Sequence, residues 1–193
     1  MNKGALIILA GPSGSGKDTI MKELFKLIPD LKFSISSITR DMREGEVNGE
    51  KYNFITREEF ESLIENNQLL EYNVYCGNYY GTPKAPVEAA IAEGKEILIE
   101  IDVNGAEEVR KNCTDYYSVF IMPPSFEVLR ERLIGRGADK MEVIEKRLLQ
   151  AKAEIARANE FDYIVVNDDM QTAVNTLKTI IEAERCKSSR ALN

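Results

Sequence analysis

The stretch Gly11-Pro12-Ser13-Gly14-Ser15-Gly16-Lys17 decides the fold, because it directly follows the apolar run Ala5–Ala10 and precedes a helical pattern. A buried strand, a glycine-rich loop ending in lysine and a helix form a phosphate-binding loop. Glycines let the backbone curl until successive N–H groups point at phosphate oxygens. The helix adds the positive end of its dipole, and Lys17 supplies a charge for the β- and γ-phosphates. The stretch therefore predicts that the chain binds a nucleoside triphosphate.

The residue after this lysine departs from the usual motif. Gly11, Gly16 and Lys17 match the pattern G-x-x-x-x-G-K, but Asp18 stands where Ser or Thr is expected. That hydroxyl holds Mg²⁺ in many such loops, so we interpret Asp18 as a retuned position and a candidate metal ligand. The alternative, a chance glycine turn before a helix, is disfavoured by the preceding strand. The candidate triphosphate-binding residues here are Gly11, Pro12, Ser13, Gly14, Ser15, Gly16, Lys17, Asp18 and Thr19.

The composition fits one compact α/β domain and excludes several mechanisms. The chain has 193 residues, 44% of them hydrophobic, and a net charge of −7, which argues against a nucleic-acid partner. It contains no histidine, which excludes Ser-His and Cys-His nucleophiles and a histidine general base. Phosphoryl transfer needs no histidine, because it depends mainly on positioning and on charge neutralisation by Mg²⁺, lysine and arginine.

Cysteine spacing and the first apolar run bear on the compartment. Cys76, Cys113 and Cys186 show no C-x-x-C spacing, which indicates free thiols in a reducing compartment. The apolar run Ala5–Ala10 is too short for a signal peptide or a membrane span. We therefore expect a cytoplasmic protein without a membrane partner. The sequence leaves open whether it is a monomer or a homodimer.

Strand and helix signals alternate along most of the chain. Apolar runs at residues 96–102, 117–122 and 161–166 predict core strands in addition to the first. Helical patterns cover residues 19–28, 85–93, 103–111, 125–134, 141–159 and 171–185. This alternation predicts an α/β fold with a parallel core sheet and helices on both faces. Residues 34–82 break the rhythm and are interpreted as an inserted subdomain with a short helix at Arg57–Glu65, whereas the basic tail around Arg190 is interpreted as a solvated end.

The insertion and several later stretches resemble the guanylate kinase family. The resemblance is carried by residues 36–54 (SSITRDMREGEVNGEKYNF), 70–72 (LEY), 77–82 (GNYYGT), 99–105 (IEIDVNG), 123–125 (PPS), 132–137 (RLIGRG) and 164–169 (IVVNDD). It implies a three-layer P-loop nucleoside monophosphate kinase fold in a single domain. The core would comprise residues 1–33, 83–124 and 155–193, with a GMP-binding insertion at about 34–82 and a mobile lid at about 125–154.

The resemblance also implies which residues bind GMP. Its phosphate would be gripped by Arg40, Arg43, Tyr52 and Tyr80, since guanidinium forks and phenol hydroxyls suit a dianion. Guanine exposes N–H groups where adenine presents an acceptor, so carboxylates select it. The base would be bound by Glu71 and Glu100, with hydroxyl contacts from Ser36 and Thr82. The alternatives are surface arginines beside core tyrosines, and a plain surface carboxylate at Glu71.

Further residues are implied for catalysis and for the donor nucleotide. The lid would contribute Arg132, Arg136 and Arg147, which neutralise charge on the transferred phosphoryl group together with Lys17 and Arg40. Solvated helix arginines are the alternative for Arg132 and Arg147. Asp102 would either hold Mg²⁺ through water or cap the next helix. Asn167 would lie either beside the adenine of ATP or at the start of a helix.

Together these features predict an ATP-dependent guanylate kinase. It would move the γ-phosphoryl group of ATP to GMP, and to dGMP, with Mg²⁺, giving the diphosphate needed for GTP synthesis and GMP recycling. One rival interpretation is a non-catalytic peptide-binding module, against which Lys17 and the arginines argue. The other is a kinase for a different phosphorylated metabolite, which would have no use for Glu71 together with Glu100.

Overall fold

A computed structural model gives the structure of residues 4–75, 77–135 and 141–191. The strands are β1 (Ala5–Ala10), β2 (Lys32–Phe33), β3 (Ser36–Ile38), β4 (Tyr52–Phe54), β5 (Leu69–Tyr75), β6 (Asn78–Pro83), β7 (Glu96–Glu100), β8 (Tyr116–Met122) and β9 (Tyr163–Val166). The helices are α1 (Lys17–Leu27), α2 (Arg57–Glu65), α3 (Lys84–Ala92), α4 (Val103–Asn112), α5 (Phe126–Gly135), α6 (Met141–Ala156), α7 (Met170–Arg185) and α8 (Ser188–Ala191). None of the helices in these ranges is long and apolar enough to cross a bilayer.

A five-stranded parallel sheet forms the centre of the molecule. Its strand order is β2-β7-β1-β8-β9, and every residue of β1 is buried. One face of β1 presents Ile7 and Leu9 to a core shared with α1 and α7. The other face presents Leu6 and Ile8 to a core shared with α3 and α4. The predicted three-layer α/β fold is therefore confirmed, and the uninterrupted apolar runs of these strands reflect burial on both faces.

The chain between β2 and α3 forms a second sheet. Its order is β4-β3-β6-β5, with β3 and β4 parallel and the other two pairs antiparallel. The predicted helix Arg57–Glu65 is present as α2, and a capping box between Thr56 and Glu59 fixes its start. Phe60 of α2 is fully buried and stacks on Tyr79 of β6, with 4.9 Å between ring centroids. Each of its four strands contributes a residue to the lining of one cleft: Ser36, Tyr52, Glu71 and Tyr80.

Several predicted element ends differ from the structure, and one interpretation is wrong. The helix predicted to continue to residue 159 ends at Ala156 and is followed by a short 3₁₀ turn. The basic tail is not a solvated end, because Arg190 is buried. Its guanidinium lies 5.1 Å from the ring centroid of Tyr117 and 3.6 Å from the fully buried carboxylate of Glu184. Opposite charge and an aromatic face compensate for its burial.

Candidate active site

The phosphate loop joins β1 to α1 and encloses its own lysine. Gly16 has a left-handed backbone with a φ of 95°, and a Cβ there would overlap the carboxamide of Asn167, so only glycine fits. The Lys17 ammonium donates to the carbonyl oxygens of Gly11 at 2.6 Å and Pro12 at 3.3 Å. Burial lowers the pKa of Lys17, and the nearby Glu100 carboxylate opposes this shift. The lysine charge is therefore held at the loop rather than extended into solvent.

Two residues from the far end of the sheet support the loop backbone. Asn167, which follows β9, is buried and donates from its carboxamide to the Ser15 carbonyl at 2.7 Å. Arg132 of α5 donates to the carbonyl oxygens of Asn167 at 2.9 Å and Ser15 at 3.4 Å. Arg132 is thus not a solvated helix arginine. The next helix, α7, is capped by Asp169, so Asn167 lies in the segment that leads into this helix but does not cap it.

Glu71 is buried at the edge of the second sheet. It lies opposite Thr82 in the pairing of β5 with β6, and the Thr82 hydroxyl donates to Glu71 Oε1 at 2.6 Å. Gly105 of α4 leaves room for the carboxylate, since a Cβ there would lie 2.7 Å from Glu71 Oε2. Burial raises the pKa of Glu71 to about 7 against the opposing hydrogen bond from Thr82. Glu71 is therefore not a plain surface carboxylate, and a buried acid with a raised pKa is typical of a functional site.

Arg40 forms a bidentate ion pair with the carboxylate of Glu46. Its NH1 and NH2 donate to the two oxygens of Glu46 at 2.7 Å and 2.6 Å. The backbone N–H of Arg43 donates to Glu46 Oε2 at 2.8 Å. The hydrogen bonds from Arg40 lower the pKa of Glu46 to about 2. The Arg40 guanidinium also lies 5.6 Å from the ring centroid of half-buried Tyr52. This fork already has the geometry in which guanidinium groups bind phosphate oxygens.

One cleft of about 560 Å³ connects the phosphate loop with Glu71 and Arg40, a size in the range of small-molecule sites. The predicted site residues that line it are Gly11, Ser13, Gly14, Gly16, Lys17, Asp18, Ser36, Arg40, Arg43, Tyr52, Glu71, Tyr80, Glu100, Asp102 and Arg147. Other predicted residues lie behind this lining: Pro12 and Ser15 are buried within the loop, and Thr82 lies behind Glu71. Thr19 is exposed on α1. Arg136 lies outside the described residues, so its lid role stays a prediction.

A lysine that the motifs did not indicate enters the cleft from the insertion. Lys51 forms an ion pair with Asp18 and lies 3.2 Å from Glu100 Oε2. The Lys17 ammonium lies 3.9 Å from the other oxygen of Glu100. Burial opposes the charge on Lys51, but Glu100 and Asp18 outweigh it and raise the pKa of Lys51. Glu100, predicted to bind guanine, therefore has its ion pairs with two lysines at the phosphate loop.

Asp102 has two hydrogen-bond partners at the start of α4. Its Oδ1 accepts from the Gly105 backbone N–H at 2.8 Å, and its Oδ2 accepts from the Asn73 carboxamide at 2.8 Å. The helix-cap alternative is thereby confirmed, although each carboxylate oxygen keeps a further lone pair for a water molecule. Within the described ranges no three acidic, cysteine or histidine side chains form a metal cage. Mg²⁺ commonly binds through one or two carboxylates, waters and substrate phosphates, so the cleft suits an ion that arrives with its nucleotide.

One face of α6 completes the wall of the cleft. It presents Arg147, Gln150, Ala151 and Glu154 at helical spacing. The Arg147 guanidinium donates to the Ser13 hydroxyl of the phosphate loop at 2.9 Å, so it is not a solvated helix arginine. Burial raises the pKa of Glu154. Of these four residues the sequence motifs indicated only Arg147. Gln150, Ala151 and Glu154 follow it at the spacing of one helix face, and this spacing could have indicated them too.

Comparisons with known proteins give a consistent result. A protein-family model described as guanylate kinase matches residues 3–184. A guanylate kinase from Carboxydothermus hydrogenoformans is 48% identical over 190 residues, which span 98% of this chain and 93% of the relative. One from Desulfitobacterium hafniense is 46% identical over 189 residues, with 98% and 94% coverage. The crystal structure of guanylate kinase from Anaplasma phagocytophilum is similar with a TM-score of 0.81 at 31% identity, covering 98% of this chain and 90% of that one.

Proposed function

Since this chain belongs to the guanylate kinase family, it catalyses the ATP-dependent phosphorylation of GMP to GDP, and we propose that the cleft described above is the site of this transfer. The observation that carries the proposal is that one cleft contains both the phosphate loop with Lys17 and the buried carboxylate of Glu71. A triphosphate at the loop and a guanine at Glu71 would bring the two substrates together within it.

The donor side of the cleft binds the phosphates of ATP. Backbone N–H groups of the phosphate loop and the dipole of α1 attract the triphosphate, and Lys17 neutralises its outer phosphates. Arg147 can add a donor from α6, because it already contacts Ser13 of the loop. Arg132 and Asn167 keep the loop in shape through its carbonyl groups. We therefore propose that Arg132 and Asn167 support the phosphate loop. That Asn167 also lies near the adenine of ATP stays a prediction.

The acceptor side binds GMP. Arg40 and Arg43 grip its phosphate, and Tyr52 and Tyr80 add hydroxyl donors. The phosphate of GMP competes with the carboxylate of Glu46 for Arg40. The phosphate is favoured because it carries two negative charges and the carboxylate only one. The base is selected by Glu71, which accepts the N–H groups on the Watson–Crick edge of guanine. Thr82 orients this carboxylate, and the hydroxyl of Ser36 adds a contact. The residues assigned here act on the phosphate and the base, so we propose that dGMP is also a substrate.

Mg²⁺ is the proposed cofactor, held mainly by the phosphates of ATP. Asp102 would hold one of its waters, and Asp18 and Glu100 are further carboxylates that line the cleft. The ion supplies charge neutralisation for the leaving diphosphate. The protein supplies the rest through the positioned cations Lys17, Arg40 and Arg147, with Arg136 added on the basis of the family resemblance.

We propose a cytoplasmic enzyme that serves GTP synthesis and GMP recycling and has neither nucleic acid nor membrane as a partner. The net charge of −7 would repel both nucleic acid and anionic lipid. Cys113 and Cys186 are free thiols in the structure, as suits a reducing compartment. Sedimentation equilibrium of the purified chain decides between a monomer and the predicted alternative of a homodimer.

A coupled assay of ADP release tests the proposed specificity. GMP and dGMP should support turnover with ATP and Mg²⁺, whereas AMP, CMP and UMP should not, because none of their bases presents the two adjacent N–H donors that guanine offers to a carboxylate. Equal turnover with AMP would contradict the assignment of Glu71. Binding of a peptide without any ADP release would favour the non-catalytic module instead.

A further inference from the structure

Lys51 connects the insertion to the phosphate loop. It belongs to the segment between β3 and β4, yet it pairs with Asp18, which is 33 residues away in the first turn of α1. Its ammonium and that of Lys17 face opposite oxygens of one carboxylate, Glu100. Two lysines from separate parts of the chain therefore converge at the donor end of the cleft.

The same lysine is also close to the acceptor end. Its ammonium lies 5.8 Å from the ring centroid of Tyr52, and the Arg40 guanidinium lies 5.6 Å from that centroid. Lys51 thus lies between the lysine that binds the donor phosphates and the arginine that binds the acceptor phosphate. All three cations line the same cleft.

We propose that the Lys51 ammonium binds the γ-phosphoryl group while it is transferred, which makes Lys51 a catalytic residue of this chain. The inference rests on the proposed function of the cleft. The bond from the γ-phosphorus to the bridging oxygen of ADP breaks, and a bond to a phosphate oxygen of GMP forms. Lys51 keeps its proton throughout and donates hydrogen bonds to the peripheral oxygens, whose charge it neutralises.

Asp18 and Glu100 fit this role as the groups that hold Lys51 in place. Each of these carboxylates has one negative charge, whereas the terminal phosphate of ATP carries more. The Lys51 ammonium therefore has a stronger electrostatic attraction to the phosphate than to either carboxylate. The Lys51 side chain lines the cleft and is 39% exposed, so a phosphate in the cleft can reach its ammonium group. A purely structural ion pair at such exposure would contribute little to stability.

Under this proposal Lys51 strengthens the binding of metal-free ATP and its partner Asp18 weakens it. Substituting each residue separately tests the proposal. Lys51→Gln removes a cation from the phosphates and should lower kcat by about ten- to a hundredfold. It should also weaken the binding of ATP in EDTA by about tenfold, since a charge-assisted hydrogen bond is lost. Asp18→Asn removes a negative charge and should strengthen the binding of ATP in EDTA. Calorimetric titration measures both affinities without turnover.

Matched variants separate a role in transfer from a role in structure. Lys26→Gln removes another lysine from α1, one that pairs only with its helix neighbour Glu23 among the contacts described here, and should leave kcat and ATP affinity unchanged. Lys51→Arg keeps the charge and should restore much of kcat. Circular dichroism checks that each variant is folded.

Three results would overturn the inference. Wild-type kcat in Lys51→Gln would show that the lysine does not touch the transferred group. Shifts in the same direction for Lys51→Gln and Asp18→Asn would show that only their mutual ion pair matters. Equal loss in Lys51→Arg and Lys51→Gln would show that the positive charge at this position does not carry the effect. By contrast, a wild-type protein that releases no ADP with GMP would overturn the proposed function itself.

Discussion

Replacing Glu71 with Gln should stabilise the protein at pH 8 while it nearly abolishes the use of GMP. The pKa of Glu71 is about 7 in the folded protein, compared with 4.5 for an ordinary glutamate. Below pH 4.5 the carboxyl is protonated in both the folded and the unfolded chain. Between pH 4.5 and 7 the folded protein retains a proton that the unfolded chain releases, so stability falls as pH rises. Above pH 7 the folded protein carries the full penalty of a buried charge, about 3 kcal/mol for this shift.

Gln at position 71 carries no charge and so avoids the cost of burying one, but its amide cannot replace the carboxylate as the acceptor for guanine. Its carbonyl oxygen can still accept the hydroxyl of Thr82, which now bonds Glu71 Oε1 at 2.6 Å. We expect the free energy of unfolding at pH 8 to rise by about 1–3 kcal/mol, since part of the gain is lost to imperfect hydrogen bonding. The amide presents a donor to the donors of guanine, which should weaken GMP binding by about 2–4 kcal/mol. ATP binding should stay nearly intact.

Urea unfolding at a series of pH values between 4.5 and 8, together with GMP titration, checks both halves of the prediction. The difference in stability between Glu71→Gln and the wild type should grow with pH up to about 7 and then level off. Glu65→Gln, at an exposed position of α2, serves as the matched control and should show no such growth. The charge of Asp102 also faces Glu71, so Asp102→Asn should shift the wild-type profile to lower pH. A pH-independent difference would refute the burial argument, and unchanged GMP use would remove Glu71 from the site.

Three further predictions follow from other contacts. Arg40→Ala should raise the KM for GMP by about ten- to a hundredfold with a smaller effect on kcat, whereas Arg136→Ala should mainly lower kcat. Steady-state kinetics of both variants measures these effects. Loss of ATP affinity alone in Arg136→Ala would contradict the prediction. Asp18→Ser should bind ATP in EDTA about tenfold more tightly than the wild type and remain active with Mg²⁺, and titrations that show equal metal dependence would exclude Asp18 from the phosphate site. Arg190→Ala should lower the free energy of unfolding by about 1–3 kcal/mol, because buried Glu184 loses one cation and keeps another, Lys187; unchanged urea unfolding would contradict a stabilising role for Arg190.

The core of the fold could be predicted because its signals are local. Each parallel strand is buried on both faces, so it is an uninterrupted apolar run that needs no partner to be recognised. The phosphate loop is likewise contiguous, and its glycines are required by the loop itself, as at Gly16 with its left-handed backbone. The end of α6 was missed because helical periodicity continues past Ala156, while the chain turns there into the 3₁₀ segment.

The contacts that assemble the cleft could not be predicted from the sequence pattern. Asn167 supports Ser15 across 152 residues of chain, and Lys51 reaches Asp18 in α1 from the segment that precedes β4. Neither pair leaves a periodic signal, because each joins single side chains rather than faces of elements. The family resemblance indicated Glu71 as a site residue, but only the three-dimensional structure gives its burial between Thr82 and Gly105. The burial of Arg190 was missed because it depends on the ring of Tyr117, which lies in a strand distant in sequence, and on the folding of the tail back towards Glu184.

The pairing of cations with carboxylates explains how an acidic chain can bind highly charged phosphates. Lys17 and Lys51 share Glu100, and Arg40 is bound by Glu46. These carboxylates limit repulsion among cations that would otherwise face one another across a narrow cleft. They also hold each cation in position, so less side-chain entropy is lost when a phosphate binds. A phosphate dianion can displace a carboxylate because it carries more charge, whereas a singly charged ligand gains little from the same exchange. The carboxylates therefore favour phosphorylated ligands over other anions, and the role proposed for Glu71 is to select among those ligands for guanine.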